Sequence, residues 1–415
     1  MPKLIHPSGA LLALALLPAG LHAADPKPVA TEFPLGACTT CRLQAPTVAG
    51  TPSGAFATSW EGTAATDTRG LLARFYSNKG QARSAERLVF KTIAADQSDA
   101  ALAADSKNNY YLAWSEVVNS NSDVLVQRFK STGAALGAPI LVNVDDPALP
   151  RAPLDYAPGI AALPNGFVVA WVRSVPPGAT TPGTDPEVWA RRFDSAGKAL
   201  GNPIKLSTGQ VKGTAPDVCV PQGAGPVIAW TSIDERKPFE PSLEGVSVRQ
   251  LTTAGVVVGT AERQIVGPAA DAASASVACG KGGVFAVAYE LDKPGVTDES
   301  DVYVQRFTKT GTLAGAGVRV NTAIDGRQTA PEISYDNKGN FVVVWASSSP
   351  AQDAVLARRF SLAGAPLSTA FVVHQSDLAS RRPTLADVSH YGVSGAFVVV
   401  WQEGAGTAFG RRYNP

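Results

Sequence analysis

Apolar runs of a few residues punctuate this chain at a nearly constant interval. Phe341-Val342-Val343-Val344-Trp345 is one, and its counterparts end at Trp60, Trp114, Trp171, Trp230, Tyr289 and Trp401, 54 to 59 residues apart. A run apolar at every position suits a strand buried on both faces. A second run follows each, closing on Gln/Arg-Arg-aromatic at Tyr76, Phe129, Phe193, Leu251, Phe307, Phe360 and Tyr413. In all but the last, a glycine stands four residues later: Gly80, Gly133, Gly197, Gly255, Gly311 or Gly364. Self-similarity at such a period marks a repeat array or propeller. In the sixth repeat, Pro331 to Tyr335 reads as a first strand and Asp336-Asn337-Lys338-Gly339-Asn340 as a tight turn. Phe341 to Trp345, Ala354 to Phe360 and Phe371 to His374 supply three more strands. Four short strands with glycine-marked turns describe a β-propeller blade.

The expected fold is all-β: a seven-bladed β-propeller of four-stranded blades. The seventh repeat stops after its third strand, at Tyr413-Asn414-Pro415, while Ala30 to Leu35 precedes the first strand (Ala45 to Ala49) at the spacing of a fourth. An N-terminal strand therefore closes the last blade, removing edges that invite aggregation. The boundaries that follow are a signal peptide over 1–23, a closing strand and CxxC loop over 24–44, and the propeller over 45–415. Val302-Tyr303-Val304-Gln305-Arg306-Phe307 and Val318-Arg319-Val320-Asn321-Thr322 resemble a QRF…G…G…VN repeat family common in large exported bacterial proteins. The resemblance covers nearly the whole mature chain and implies a propeller-like fold, without catalytic residues to carry over. Two repeats depart from it: Gln250-Leu251 replaces Arg-Phe, and Phe75 stands in the arginine column.

Lys3 and His6 precede an apolar run, Ala10 to Leu17, and a small-residue site, Leu21-His22-Ala23, as in a secretory signal. No stretch approaches the ~20 apolar residues of a membrane span. Secretion or a periplasmic location is the expectation, without a membrane span. Removing Lys3 takes the formal net charge from +1 to 0, so the electrostatic footprint of nucleic-acid binding is missing.

Few residues offer chemistry. The mature chain keeps His374 and His390, in different repeats and without metal-ligand spacing, and Met1 is the only methionine. No nucleophile elbow, HExxH, Walker loop or DxDxDG loop occurs, so neither metal nor cofactor is expected. Arg128, Arg192, Arg306, Arg359 and Arg412 recur beside the aromatic column and read as a structural ladder, with Asp123, Glu187 and Asp301 as available partners. Cys38 and Cys41 form CxxC with Arg42 where haem attachment needs histidine; a local disulfide, redox chemistry and half a metal site all remain open. Cys219 and Cys279 lie in neighbouring repeats of an exported chain, where a bridge is chemically available. Their registers differ by one residue, which on simple alternation turns them to different faces.

Repeats three, four and five deviate in loop length. From the Trp column to the next aromatic they need 22, 21 and 18 residues, against 12 to 16 elsewhere. Their longer loops should cluster on one sector of one face, and rigid scaffolds commonly carry binding residues on such loops. The candidate ligand-binding residues are Asp234, Glu235, Arg236, Glu240, Asp292, Asp298 and Glu299. The expected function is an exported, non-enzymatic binding scaffold for an extracellular or periplasmic glycan or protein. The alternative is a carbohydrate-active enzyme, a lyase or glycoside hydrolase, with carboxylates at the central pocket; carboxyl spacing would identify it.

Overall fold

The computed structural model describes residues 25–36, 43–63, 69–89, 96–144, 153–175, 184–208, 211–234, 243–266, 271–296, 299–323, 325–349, 352–376, 383–404 and 406–415. Residues 1–24, where a signal peptide is expected, and the Cys38/Cys41 loop lie outside them. Strand β1 (Phe33–Pro34) precedes the first repeat, which holds β2 (Gln44–Gly50), β3 (Phe56–Thr63), β4 (Arg69–Tyr76) and β5 (Arg87–Leu88). The second holds β6 (Asp96–Ala104), β7 (Tyr110–Val118), β8 (Asn121–Phe129) and β9 (Ile140–Leu141). The third holds β10 (Leu154–Leu163), β11 (Gly166–Val175), β12 (Thr184–Asp194) and β13 (Ile204–Lys205). The fourth holds β14 (Val211–Cys219), β15 (Val227–Asp234), β16 (Leu243–Gln250) and β17 (Arg263–Val266). The fifth holds β18 (Ala272–Cys279), β19 (Phe285–Asp292), β20 (Ser300–Phe307) and β21 (Val318–Arg319). The sixth holds β22 (Arg327–Tyr335), β23 (Phe341–Ser349), β24 (Gln352–Phe360) and β25 (Phe371–Gln375). The last holds β26 (Pro383–Tyr391), β27 (Ala396–Glu403) and β28 (Thr407–Tyr413).

Each of the first six repeats forms a four-stranded antiparallel group, and a single parallel pairing, Leu154 to Ser122, joins the second group to the third. The last three strands are completed by β1, with Phe33 opposite Gly410 and Pro34 opposite Phe409. The first strands touch in succession, β2 to β6 and on to β26, and β26 touches β2. The result is an all-β, propeller-like body.

Packing follows the repeated aromatic residues. Every member of the Trp/Tyr column is buried, and six tryptophans are among the largest fully buried side chains. Across the second and third strands, Phe56–Tyr76, Phe167–Phe193, Phe285–Phe307, Phe341–Phe360 and Phe397–Tyr413 stack with centroids 4.6, 4.9, 4.6, 5.0 and 4.9 Å apart. Such aromatic pairs add to what their buried area contributes.

The arginine column joins each group to the next. Arg128 donates to Ser195 O (2.6 Å), Arg306 to Leu362 O (3.2 Å) and Arg412 to Lys79 O (2.5 Å). The receiving turns need glycine. Gly80 and Gly364 have φ of +75° and +82°, and a Cβ there would stand 2.2 and 2.4 Å from the incoming guanidinium. Where the repeat departs from arginine, Phe75 packs on Gly133 and Gln250 on Gly311. The preceding column looks backwards: Arg191, Arg249, Arg358 and Arg411 donate to Val142, Leu206, Val320 and Val373 carbonyls at 2.9, 2.7, 2.9 and 2.6 Å. Gln127 and Gln305 are too short for that and bond locally, to Gly137 O (3.1 Å) and Gly315 O (3.0 Å). The acidic column does not serve these arginines. Asp123 and Asp301 accept from Asn143 (2.8 Å) and Asn321 (2.6 Å), and Glu187 pairs with Lys205.

Cys219 and Cys279 form a disulfide with Cα atoms 5.5 Å apart. The expectation of divergent faces is corrected by how the sheets stack. Neighbouring sheets meet face to face, so a residue on the forward face of one meets the rear face of the next. A one-residue offset between their registers is then what a bridge needs.

Candidate functional site

Of the residues singled out on the longer loops, Glu235, Arg236, Glu240 and Asp298 lie outside the described residues, as does the Asp234 side chain at the end of β15. Asp292 ends β19, and its N–H donates to Asp271 O at 3.0 Å. Glu299 pairs with Lys293 at 2.8 Å, which also lies 4.0 Å from Asp301. Glu244 and Glu290 bring further carboxyl groups to this sector. The Glu244 N–H donates to Asp271 Oδ1 (3.3 Å), and Glu290 accepts from Arg327 at 3.1 Å. Burial first, then the charges of Asp271, Glu290 and Asp292, push the Glu244 carboxyl up. The sector is therefore acidic across the fourth and fifth sheets. No group of three or more His, Cys, Asp or Glu residues has the arrangement of a metal site among the described residues.

A second constellation sits on the first strands and went unread in the sequence. Every first strand carries a β-bulge with one residue at positive φ: Ala45, Asp99, Ala157, Ala215, Ser274, Ala330 or Leu385. Two positions beyond it stand Thr47, Ala101, Gly159, Asp217, Ser276, Glu332 and Asp387. Small residues fill this column in the second and third repeats, where a Cβ on Gly159 would lie 2.4 Å from Pro216 O. From the fourth repeat onward it turns polar and acidic.

Asp217 accepts from Val218 N (2.7 Å), Val277 N (2.7 Å) and the Ser276 hydroxyl (3.2 Å). Asp387 accepts from Val388 N (2.6 Å), Val48 N (2.7 Å) and the Thr47 hydroxyl (2.8 Å). Both side chains thus hold N–H groups of the neighbouring first strand. Glu332 differs: among the described residues it meets only Ser276 Oγ, 2.6 Å from Oε2. The hydroxyl between Asp217 and Glu332 has one proton for two carboxyl groups. A protonated Glu332 resolves the shortage by donating to Ser276 Oγ, whose own hydrogen then serves Asp217.

Electrostatics agree with that assignment. Burial, then the charges of Asp387 and Asp217, push the Glu332 carboxyl well above its ordinary range. Burial raises Asp217 as well, against its three donors, and pushes Asp387 up to about 6. His390, half-buried on the same strand as Asp387, is pushed down to about 4 by loss of solvent; its Nδ1 lies 3.0 Å from Ser334 Oγ. A neutral imidazole with a hydroxyl partner is a packed structural group.

No family model matches the chain, and no curated protein matches it in sequence. Solved structures match in fold. A protein of unknown function from Dyadobacter fermentans is 10% identical, with a TM-score of 0.51 over 93% of this chain and 98% of that one. A mutant α-L-arabinofuranosidase from Fusarium graminearum, in complex with an iminosugar inhibitor, is 11% identical, with a TM-score of 0.50 over 80% of this chain and 98% of that one. At such identities the likeness is one of fold, and the chain is an all-β, β-propeller-like protein stapled by a disulfide.

Proposed function

We propose that the chain is an exported seven-bladed β-propeller that binds a glycan without cleaving it. The seven-fold reading is supported by one four-stranded group per sequence repeat and by the contact of β26 with β2. Export is supported by the Cys219–Cys279 bridge. The binding face is the sector of the third to fifth repeats. There Glu244 and Asp292 stand beside the loops that carry Asp234, Glu235, Arg236, Glu240, Asp298 and Glu299. Carboxylates suit the hydroxyl network of a sugar, and the sugar mimic held by the Fusarium enzyme puts glycans first among ligands to test.

One observation carries the non-enzymatic part. Hydrolysis by the usual route needs two carboxyl groups free to act on the glycosidic bond. Of the three carboxyl groups in the column beyond the bulge, Asp217 and Asp387 already commit both oxygens to protein donors, and Glu332 meets a single donor among the described residues. The test is a glycan array probed with the mature protein, followed by mass spectrometry of the probes. Bound, intact glycans are expected, with binding lost in Glu244→Gln/Asp292→Asn. Binding untouched by that double substitution would refute the site, and cleaved probes would refute the non-enzymatic reading.

A carbohydrate-active enzyme is the second reading, favoured by a specific geometry. Bonds of 3.2 and 2.6 Å through Ser276 keep oxygens of Asp217 and Glu332 within about 6 Å, near the separation of retaining glycosidases. A protonated Glu332 beside an ionised Asp217 has the asymmetry of an acid and a nucleophile. If cleavage is seen, Glu332→Gln should abolish it while leaving binding intact.

A further inference from the structure

The segment that completes the last sheet is held by little backbone. β1 contributes two residue pairs, and beyond it Val29 N donates to Arg412 O and Leu35 N to Ala408 O, each at 2.9 Å, while Asn414 N donates to Lys27 O at 3.2 Å beside the Pro28–Tyr413 bridge. Beside these bonds lies a recess of about 500 Å3 whose walls include Glu32, His374, Gln375 and Arg411. His374, on β25, faces two carboxylates from two other elements. Its Nδ1 is 3.1 Å from Glu32 Oε1 on the N-terminal segment, and its Nε2 is 3.6 Å from Glu403 Oε1 at the end of β27. Arg411 on β28 also reaches Glu32 Oε1, at 3.2 Å, and Ser376 donates to Glu403 at 3.3 Å. The imidazole stacks on Trp401 with centroids 5.1 Å apart, and β24 sets the apolar Val355 opposite it. A neutral imidazole can donate from only one nitrogen, whereas the imidazolium donates from both.

We infer that His374 makes the closure of the last sheet a pH-sensitive clasp: protonated, it pins Glu32 of the N-terminal segment to β25 and β27, and neutral, it loosens that hold. The titration runs in the matching direction. Burial alone would lower the histidine, but the bond and charge of Glu32 and the charge of Glu403 outweigh it and hold His374 above its ordinary value. Burial would likewise raise Glu32, yet His374 and Arg411 bring it below the usual carboxylate range. A raised histidine contributes fully below its unfolded pKa, and the contribution is lost as pH rises through the folded one. A lowered carboxyl contributes above its unfolded pKa and loses that contribution as pH falls through its folded one. The clasp is therefore tightest in mildly acidic solution and weakens as the medium turns alkaline. Arg411 retains its share of Glu32 throughout, so the segment loosens without detaching.

Amide hydrogen exchange on the whole protein tests this at about pH 5.5 and about pH 8.5, corrected for intrinsic exchange. Protection over residues 25–36 should fall about three- to tenfold at the higher pH, relative to strand β7. In His374→Gln the segment should exchange at the faster rate at both values. Glu32→Gln removes the pairing from the other side and should give the same loss of pH response. Wild-type protection that ignores pH, or a response that survives both substitutions, would overturn the clasp.

Discussion

Two seams of this molecule use one device and differ in what backs it. Between the fourth and fifth sheets, Asp217 accepts Val277 N at 2.7 Å; between the last sheet and the first, Asp387 accepts Val48 N at 2.7 Å. Both carboxylates also take the N–H of the following residue and a hydroxyl, from Ser276 or Thr47. The fourth–fifth seam adds the Cys219–Cys279 bridge, which spans 60 residues of sequence. At the other seam the last repeat meets the first, and among the described residues non-covalent contacts hold them. One hydrogen-bonding motif can thus be a redundant tie at one place and a principal one at another.

The largest expected effect breaks the covalent seam. Cys219→Ser/Cys279→Ser should lower stability by about 4 kcal/mol on the chain-entropy account, measured by urea unfolding. Next, Asp387→Ala strands two buried N–H groups and should cost about 2–3 kcal/mol. Asp217→Ala should cost less in the oxidised protein and as much in the cysteine-free variant. Equal costs in the oxidised protein would erase the distinction between the seams.

A pH dependence comes third. Glu332 and Asp387 have raised folded pKa values, so the folded state binds protons more tightly than the unfolded one. Stability should fall as pH rises from the ordinary carboxylate range through those raised values, and Glu332→Gln should flatten the slope. A smaller effect is expected from Arg412→Ala, which removes bonds to Lys79 O (2.5 Å) and Asn78 O (3.1 Å): about 1 kcal/mol. Smallest, Gln250→Arg should restore the arginine column over Gly311 and gain at most about 0.5 kcal/mol.

Most of the architecture was legible because it repeats. The Trp column, the glycine turns and the Gln/Arg-Arg-aromatic ends each answer to one physical demand met again in every sheet. So was the closing strand, since a missing fourth strand leaves an edge. Asp217, Ser276, Glu332 and Asp387 were not legible, because their column keeps no common residue from repeat to repeat. Their meaning depends on contacts between repeats, which have no sequence spacing. The partners of Asp123 and Asp301 were missed for a related reason. Asn143 and Asn321 lie one strand over, and a charge was given precedence over an amide that also satisfies Val124 N and Val302 N. The Cys219–Cys279 pairing was legible and its geometry was not, because alternation describes one sheet and the bridge joins two.

The bulge in every first strand acts as a shift of reading frame. In β22 the buried positions run Gln328, then Pro331 and Ile333; in β26 they run Pro383, then Ala386 and Val388, before Tyr391 closes the strand. Even and odd exchange meanings at Ala330 and Leu385. A mutational scan stepping every second residue would start on one face of the strand and finish on the other. Data from such a scan fall into two half-strands of opposite phase, and deleting the bulge residue would bring them back into one.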